Sequence, residues 1–221
     1  MSKFIVIEGT DCSGKETQSK LLVDSLNKLG KKTVYLTFPN YNSPTGKIVG
    51  GPYLGKEEIC KSYFPEGASH VDAKVASLYF AADRYYNLNV IKEYLDKDYI
   101  VIMDRYVSSN MAHQGGKIKD KDKRYEMYDW LEKLEYEMMG LIRPDMTLFL
   151  HMPTSYARIL KKNRTSLDDH EKDDEHLLLA EHSYLELSNK YNFINIDCVL
   201  NNEIRSINDI HDEILKKITN H

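Results

Sequence analysis

Five short apolar runs, each followed by a longer helical pattern, constrain this chain more than any other feature. They are Phe4–Glu8, Thr33–Phe38, Tyr99–Asp104, Met146–Met152 and Asn192–Asp197. Their β-branched and aromatic content and their bounded length mark them as strands. Near-continuous apolar strands, without polar alternation, are buried on both faces. That is the pattern of a parallel sheet covered by helices. The intervening stretches Gly14–Leu29, Ala73–Leu95, Lys121–Met139 and Asp174–Lys190 have helical periodicity. No internal repeat or Pro/Gly-rich linker interrupts them. The expectation is therefore one α/β domain over residues 1–221 with a five-stranded parallel sheet.

In such sheets ligands bind beyond the carboxyl ends of the strands. Four informative clusters fall there: GTDCSGKET after the first run, FPNYN after the second, DRYVSSN after the third, and the basic KKNR one helix beyond the fourth. The first has the pattern G-x-x-x-x-G-K over Gly9–Lys15, directly between a strand and a helix. The loop Gly9, Thr10, Asp11, Cys12, Ser13 and Gly14 would turn backbone N–H groups inward as an anion nest. The following helix adds its positive N-terminal end. Lys15 would neutralise β- and γ-phosphates. The residue after the lysine is ordinarily a serine or threonine that ligates magnesium. Here it is Glu16, itself an oxygen ligand for a hard cation, with Thr17 next to it.

Charge and cysteine usage narrow the class. Thirty basic and 34 acidic side chains leave a formal net charge of −4, which argues against a nucleic-acid partner. Three cysteines, without metal-ligand spacing, fit a reducing compartment and no disulfide framework. No apolar stretch approaches the ~20 residues of a membrane span, and the N-terminal run is too short for a secretory signal. A cytoplasmic protein is the expectation.

Taken together, FIVIEGTDCSGKETQ, FP at Phe38–Pro39, YFAADR at Tyr79–Arg84, DRYVSSNMAHQG at Asp104–Gly115 and YLEL at Tyr184–Leu187 resemble thymidylate kinase over nearly the whole chain. The resemblance implies a P-loop NTPase fold, three-layered α/β/α, and a divergent, bacterial-type member of that family. It implies transfer of the γ-phosphoryl of ATP to dTMP with Mg²⁺, and a homodimer packed through long helices. It also implies roles. Lys15, Asp104, Arg105 and Arg164 would be catalytic. Residues Gly9 to Thr17 would hold ATP. Asp11, Phe38, Pro39, Phe80, Arg84, Arg105, Ser109, Asn110, His113 and Gln114 would hold dTMP. Glu16 and Asp104 would meet the metal.

The residues support these roles on physical grounds. Phosphoryl transfer needs positioning and charge neutralisation more than covalent chemistry. Asp104 ends a strand, where a carboxylate can reach a magnesium-bound water. Arg105 can clamp a phosphate bidentately. Phe80 and Arg84 are four apart on one helical face, suited to stacking on a pyrimidine and donating to its carbonyl. The plainer alternative makes Phe80 core and pairs Arg84 with Asp83 or a neighbour. Ser109 has helix capping as its plainer alternative. Lys161, Lys162 and Arg164 fall in a lid-like segment near 158–173. Because the phosphate loop has Cys12 where some members have arginine, Arg164 is the favoured lid cation.

Besides Glu16, three positions depart from the family pattern: Tyr41 in place of a frequent phosphate-binding arginine, His113 in place of a tyrosine beside the sugar, and Asp169 in place of a lid arginine. With that arginine missing, Arg105 would bear more of the acceptor-phosphate charge, helped by Lys47. Two other readings remain open. A deoxynucleoside kinase would use Glu8 as base toward a 5′-hydroxyl. A non-catalytic nucleotide-binding switch would need no second nucleotide pocket.

Overall fold

The computed structural model describes residues 2–161, 170 and 173–220. Strands β1 (Lys3–Gly9), β2 (Thr33–Thr37), β3 (Ile100–Asp104), β4 (Met146–His151) and β5 (Ile194–Asp197) form one sheet in the order β2-β3-β1-β4-β5. Every pairing is parallel, with Ile5 opposite Ile102 on one side and Met146 on the other. Each lies within two residues of its expected bounds. The central strand β1 is buried along nearly its whole length, as its unbroken FIVI run requires.

Helices cover both faces. On one side α1 (Lys15–Lys28) and α9 (Ile207–Thr219) close over Ile5, Ile7, Ile102 and Leu148. On the other, α5 (Val107–Gly115), α6 (Lys121–Glu132) and α8 (Asp174–Tyr191) close over Phe4, Val6, Met103 and Phe149. The described elements also include the short helices α2 (Pro44–Ile48) and α7 (Thr154–Lys161) and the two-stranded hairpin β6 (Val199–Leu200) and β7 (Glu203–Ile204). A satellite cluster around Tyr53, Val49 and Val71 packs under the loop that follows α2.

Two expected helices differ in the structure. The pattern Ala73–Leu95 divides into α3 (Ala73–Tyr86) and α4 (Leu88–Asp96) at Asn87. The Asn87 amide donates to the Asp83 carbonyl at 2.8 Å, giving that acceptor a side-chain partner. The pattern Lys121–Met139 runs as α6 and then widens into a π-helical turn over Lys133–Met138. That widened turn carries Glu135 into the interior, where it is fully buried. Turns of this kind are frequent at functional sites.

Candidate active site

The phosphate loop leaves β1 at Gly9, where an added Cβ would lie 2.6 Å from both the Leu150 carbonyl and Ser13 Oγ. Thr10 ties the loop to the end of β4: its Oγ1 donates to the Met152 carbonyl at 2.6 Å and accepts the Met152 N–H at 2.8 Å. Gly14 enters α1 with φ 77°, a conformation glycine adopts without strain. Cys12 (φ 58°) and Arg105 (φ 65°) adopt the same left-handed region with side chains, placing two strained residues at one site.

Inside the loop, Lys15 Nζ donates to the Thr10 carbonyl at 2.8 Å. Burial, with Arg105 nearby, lowers its pKa to about 8, so an arriving phosphate would stabilise its charged form. Asp11 sits between two cations, 3.4 Å from Arg105 Nη2 and 3.4 Å from Lys161 Nζ. Burial alone would raise its pKa, but Arg105, Lys15 and Lys161 together hold it below the usual value.

These residues border a cavity of about 380 Å³. Asp11, Cys12, Gly14, Lys15, Glu16 and Thr17 line it from the phosphate-loop side. Phe38, Pro39, Phe80 and Arg84 line it from the opposite wall, and Asp104, Arg105, Ser109, Asn110, His113 and Gln114 from β3 and α5. The structure therefore brings the described candidate residues of both nucleotide sites to one place. Gly9, Thr10 and Ser13 lie beneath, forming the loop itself. Arg164, Lys162 and Asp169 lie outside the described residues.

Buried polar atoms without partners collect around this cavity. Gln114 lacks a partner at both Oε1 and Nε2 and is fully buried. Asn110 Oδ1 and Asp104 Oδ1 are likewise unpartnered. Buried polar atoms are ordinarily hydrogen-bonded, so a cluster of orphans on one cavity wall marks where ligand groups belong. Asp104 Oδ2 accepts from Tyr35 at 3.2 Å. Its pKa is raised by burial, against the opposing pull of Lys15 and Arg105.

Several side chains are engaged differently from expectation. Glu16 forms an i,i+4 pair with Lys20 at 2.5 Å on the exposed surface of α1, while still bordering the cavity and adding to the upward push on Asp104. Arg84 is gripped by Glu135 and not by Asp83: Nη2 meets Oε1 at 2.7 Å and Nε meets Oε2. Asp83 instead organises the loop after β2, accepting from Asn40 N, Ser43 Oγ, Thr45 Oγ1 and Asn87 Nδ2. Ser109 Oγ donates to Glu8 at 2.5 Å rather than standing free for a ligand. Glu8 also accepts the Tyr106 and Ser109 N–H groups at 2.9 and 3.0 Å and the Tyr184 hydroxyl at 3.1 Å. A β1 carboxylate thus caps the N-terminus of α5, which occupies both oxygens of the residue a nucleoside kinase would use as base.

Two positions that shape or line the cavity escaped sequence reasoning. Glu135 carried no signal, because a glutamate in a charged helical stretch reads as solvated. Lys56 holds its ammonium 5.0 Å from the centre of the Tyr41 ring and lines the cavity, whereas Lys47 is exposed and does not line it.

A phosphate loop at the carboxyl edge of a parallel β2-β3-β1-β4-β5 sheet, opening on a shared cavity, defines a P-loop nucleotide-binding protein of the kinase class. The chain belongs to the thymidylate kinase family, whose model matches residues 7–214. It is 32% identical over 219 residues to the thymidylate kinase of Plasmodium falciparum, covering 98% of this chain and 90% of that one. It is 34% identical to a probable thymidylate kinase of Methanocaldococcus jannaschii, covering 98% and 96%. The structure of thymidylate kinase from Candida albicans shares the fold, with a TM-score of 0.74 at 23% identity over 99% of this chain and 92% of that chain. These eukaryotic and archaeal relatives lend no support to the expected bacterial type.

Proposed function

We propose that this chain transfers the γ-phosphoryl group of ATP to dTMP, giving dTDP. The observation that carries this reading is the set of orphaned amide atoms on Asn110 and Gln114, in the same cavity as Lys15 and Arg105. A switch protein has no use for a second polar pocket facing its phosphate loop. In this reading the phosphate loop and Lys15 hold the donor phosphates. Arg105 takes the acceptor phosphate, with Lys56 supplying the cation absent at Tyr41. Phe80 stacks on the base, and Gln114, Asn110 and Arg84 Nη1 offer polar atoms to its edge. Asp11, flanked by Arg105 and Lys161, sits between donor and acceptor and orients both.

The donor set also fits Mg²⁺: Asp104 Oδ1 is a buried carboxylate oxygen without a partner, bordering the same cavity as Lys15. Asp104 would hold the ion directly or through water, with Glu16, paired to Lys20 through Oε1 alone, a second oxygen donor at the cavity rim. When bound, the ion neutralises charge on the transferring phosphates. Arg164 remains the proposed further cation for that charge.

A homodimer belongs to the same proposal. Val75, Leu78 and Tyr85 recur on one exposed face of α3, a stripe suited to a helical interface; sedimentation velocity tests it. Cys60 and Cys198 carry thiols, in keeping with the proposed cytoplasmic setting, and among the described residues no helix is long and apolar enough to cross a membrane.

Gln114→Leu tests the acceptor pocket. It fills the orphaned site with an apolar group of similar size, and the expected result is a KM for dTMP raised at least tenfold with KM for ATP little changed. Equal KM values for dTMP in the two proteins would remove the pocket assignment.

A further inference from the structure

Next to the acceptor pocket, three imidazoles from distant parts of the chain meet. His113 comes from α5, His176 from the first turn of α8, and His170 from the chain between α7 and α8. Their ring centres lie 5.7 Å (His113–His170), 5.3 Å (His113–His176) and 4.4 Å (His170–His176) apart. One nitrogen from each can be chosen so that all three lie within 4.8 Å of one another. We propose that His113, His170 and His176 form a binding site for one transition-metal ion of the zinc type, separate from the Mg²⁺ position at Asp104.

The geometry supports this in three ways. His113 Nδ1 and His176 Nε2 are 3.2 Å apart. Two imidazoles on one tetrahedral ion, with metal–nitrogen bonds of about 2.0–2.1 Å, place their nitrogens about 3.3 Å apart. Two of the three ligands are therefore already at coordination spacing, and with the His170 nitrogen within 4.8 Å of both, a shift of at most about 1.5 Å completes the set. Next, His170 has a partner that selects its tautomer. The Tyr53 hydroxyl donates to the Ala68 carbonyl at 2.9 Å, so at 3.1 Å from His170 Nε2 it accepts. The ring proton then sits on Nε2, and Nδ1 presents a lone pair. Metal-bound histidines are commonly oriented by such an outer hydrogen bond. Finally, the donors are all imidazole. Such a set suits zinc, copper or nickel and not the hard cation of the phosphoryl-transfer site.

The protonation state agrees. Burial, together with the neighbouring histidines and cations, lowers all three imidazoles, His176 to about 4. Neutral imidazole is the form that binds metal. Three histidine ligands leave a fourth position for water or another donor. Arg105 Nη1 stands 3.4 Å from His113 Nε2, on the opposite edge of the ring from Nδ1. Because arginine only donates, Nε2 accepts in the ion-free protein and the His113 proton sits on Nδ1, toward His176; an ion on Nδ1 would displace that proton to Nε2 and break the Arg105 contact.

The test titrates chelator-stripped protein with Zn²⁺ by calorimetry, in buffer with excess Mg²⁺ and no nucleotide. Co²⁺ replaces Zn²⁺ in a parallel visible-absorption titration. The expected result is one Zn²⁺ per chain, bound at micromolar Kd or tighter, and Co²⁺ bands of a four-coordinate site. His170→Gln and His176→Gln should each weaken binding at least 100-fold, and Tyr53→Phe about tenfold, with circular dichroism confirming that each variant is folded. The Co²⁺ spectrum of the unaltered protein decides the matter if a variant does not fold. Absence of stoichiometric Zn²⁺ binding, a six-coordinate Co²⁺ spectrum, or Zn²⁺ affinity unchanged in folded His170→Gln and His176→Gln would overturn the proposal and leave a hydrogen-bonded imidazole stack.

Discussion

Glu135 holds Arg84 through both arms of its carboxylate, with both residues essentially removed from solvent. Burial alone would lower the arginine pKa, but the Glu135 carboxylate more than offsets it and raises it above the ordinary value. Asn110 Nδ2 joins the same carboxylate at 3.0 Å. Glu135 therefore positions two residues of the proposed base pocket without lining the cavity itself. Glu135→Gln leaves the Arg84 charge buried without its counterion, and breaking a buried pair in this way costs about 3–5 kcal/mol. Urea unfolding should show that loss, together with a raised KM for dTMP. A stability loss below about 1 kcal/mol would mean the pair is not the organising contact.

Glu8 separates phosphorylation of a nucleotide from that of a nucleoside. Its four hydrogen bonds make it a helix cap. In Glu8→Gln, Oε1 can still accept both N–H groups, while the amide nitrogen can donate to the two hydroxyls. The dTMP reaction should fall less than about tenfold in kcat. Removing a general base ordinarily costs about 10²–10⁴. A loss of that size, with a shifted pH profile, would restore Glu8 as base.

Lys56 and Lys47 give opposite expectations. Lys56 lines the cavity beside Tyr41 and Lys47 does not. Lys56→Gln should raise KM for dTMP roughly 5–20-fold, as expected for loss of about 1–2 kcal/mol of charge-assisted binding. Lys47→Gln should leave it unchanged. The reverse pattern would move the compensating cation to the exposed helix.

The His151–Glu181 pair makes folding stability depend on pH. Their side chains meet at 2.9 Å, and Glu181 also caps α7 by accepting the Thr154 N–H and hydroxyl. The hydrogen bond to Glu181 raises His151 above 6.5 despite partial burial. For Glu181, burial pushes upward, but the bonds from His151 and Thr154 hold it below 4.5. The His151 contribution is complete below 6.5 and is lost as pH rises through its raised folded value. The Glu181 contribution is complete above 4.5 and is lost as pH falls through its lowered folded value. Both are present only between these limits. His151→Gln should therefore cost about 1 kcal/mol near pH 5.5 and clearly less near pH 8.5, read by urea unfolding. A difference independent of pH would contradict the pairing.

The parts of this molecule that were legible in the sequence are the local ones. The strands could be read because burial on both faces leaves no polar alternation, and the phosphate loop because its seven residues form one continuous turn between strand and helix. The break at Asn87 was not legible: its side chain bonds to Asp83 and Ser43 rather than to solvent, and asparagine inside a helical pattern does not announce those tertiary contacts. Glu135 needed the widened turn after α6 to bring it inward. Lys56 and the histidines at 170 and 176 reach the site by tertiary packing alone. Their neighbours along the chain read as surface.

The most direct measurement is an ATP/Mg²⁺ phosphotransfer assay with dTMP, dUMP, UMP and thymidine as parallel acceptors. The orphaned amides of Asn110 and Gln114, the Arg105 side chain proposed for the acceptor phosphate and the occupied Glu8 carboxylate predict turnover of dTMP well above that of UMP or thymidine. Phosphorylation of thymidine but not of dTMP, or ATP binding without turnover of any of the four, would contradict the account.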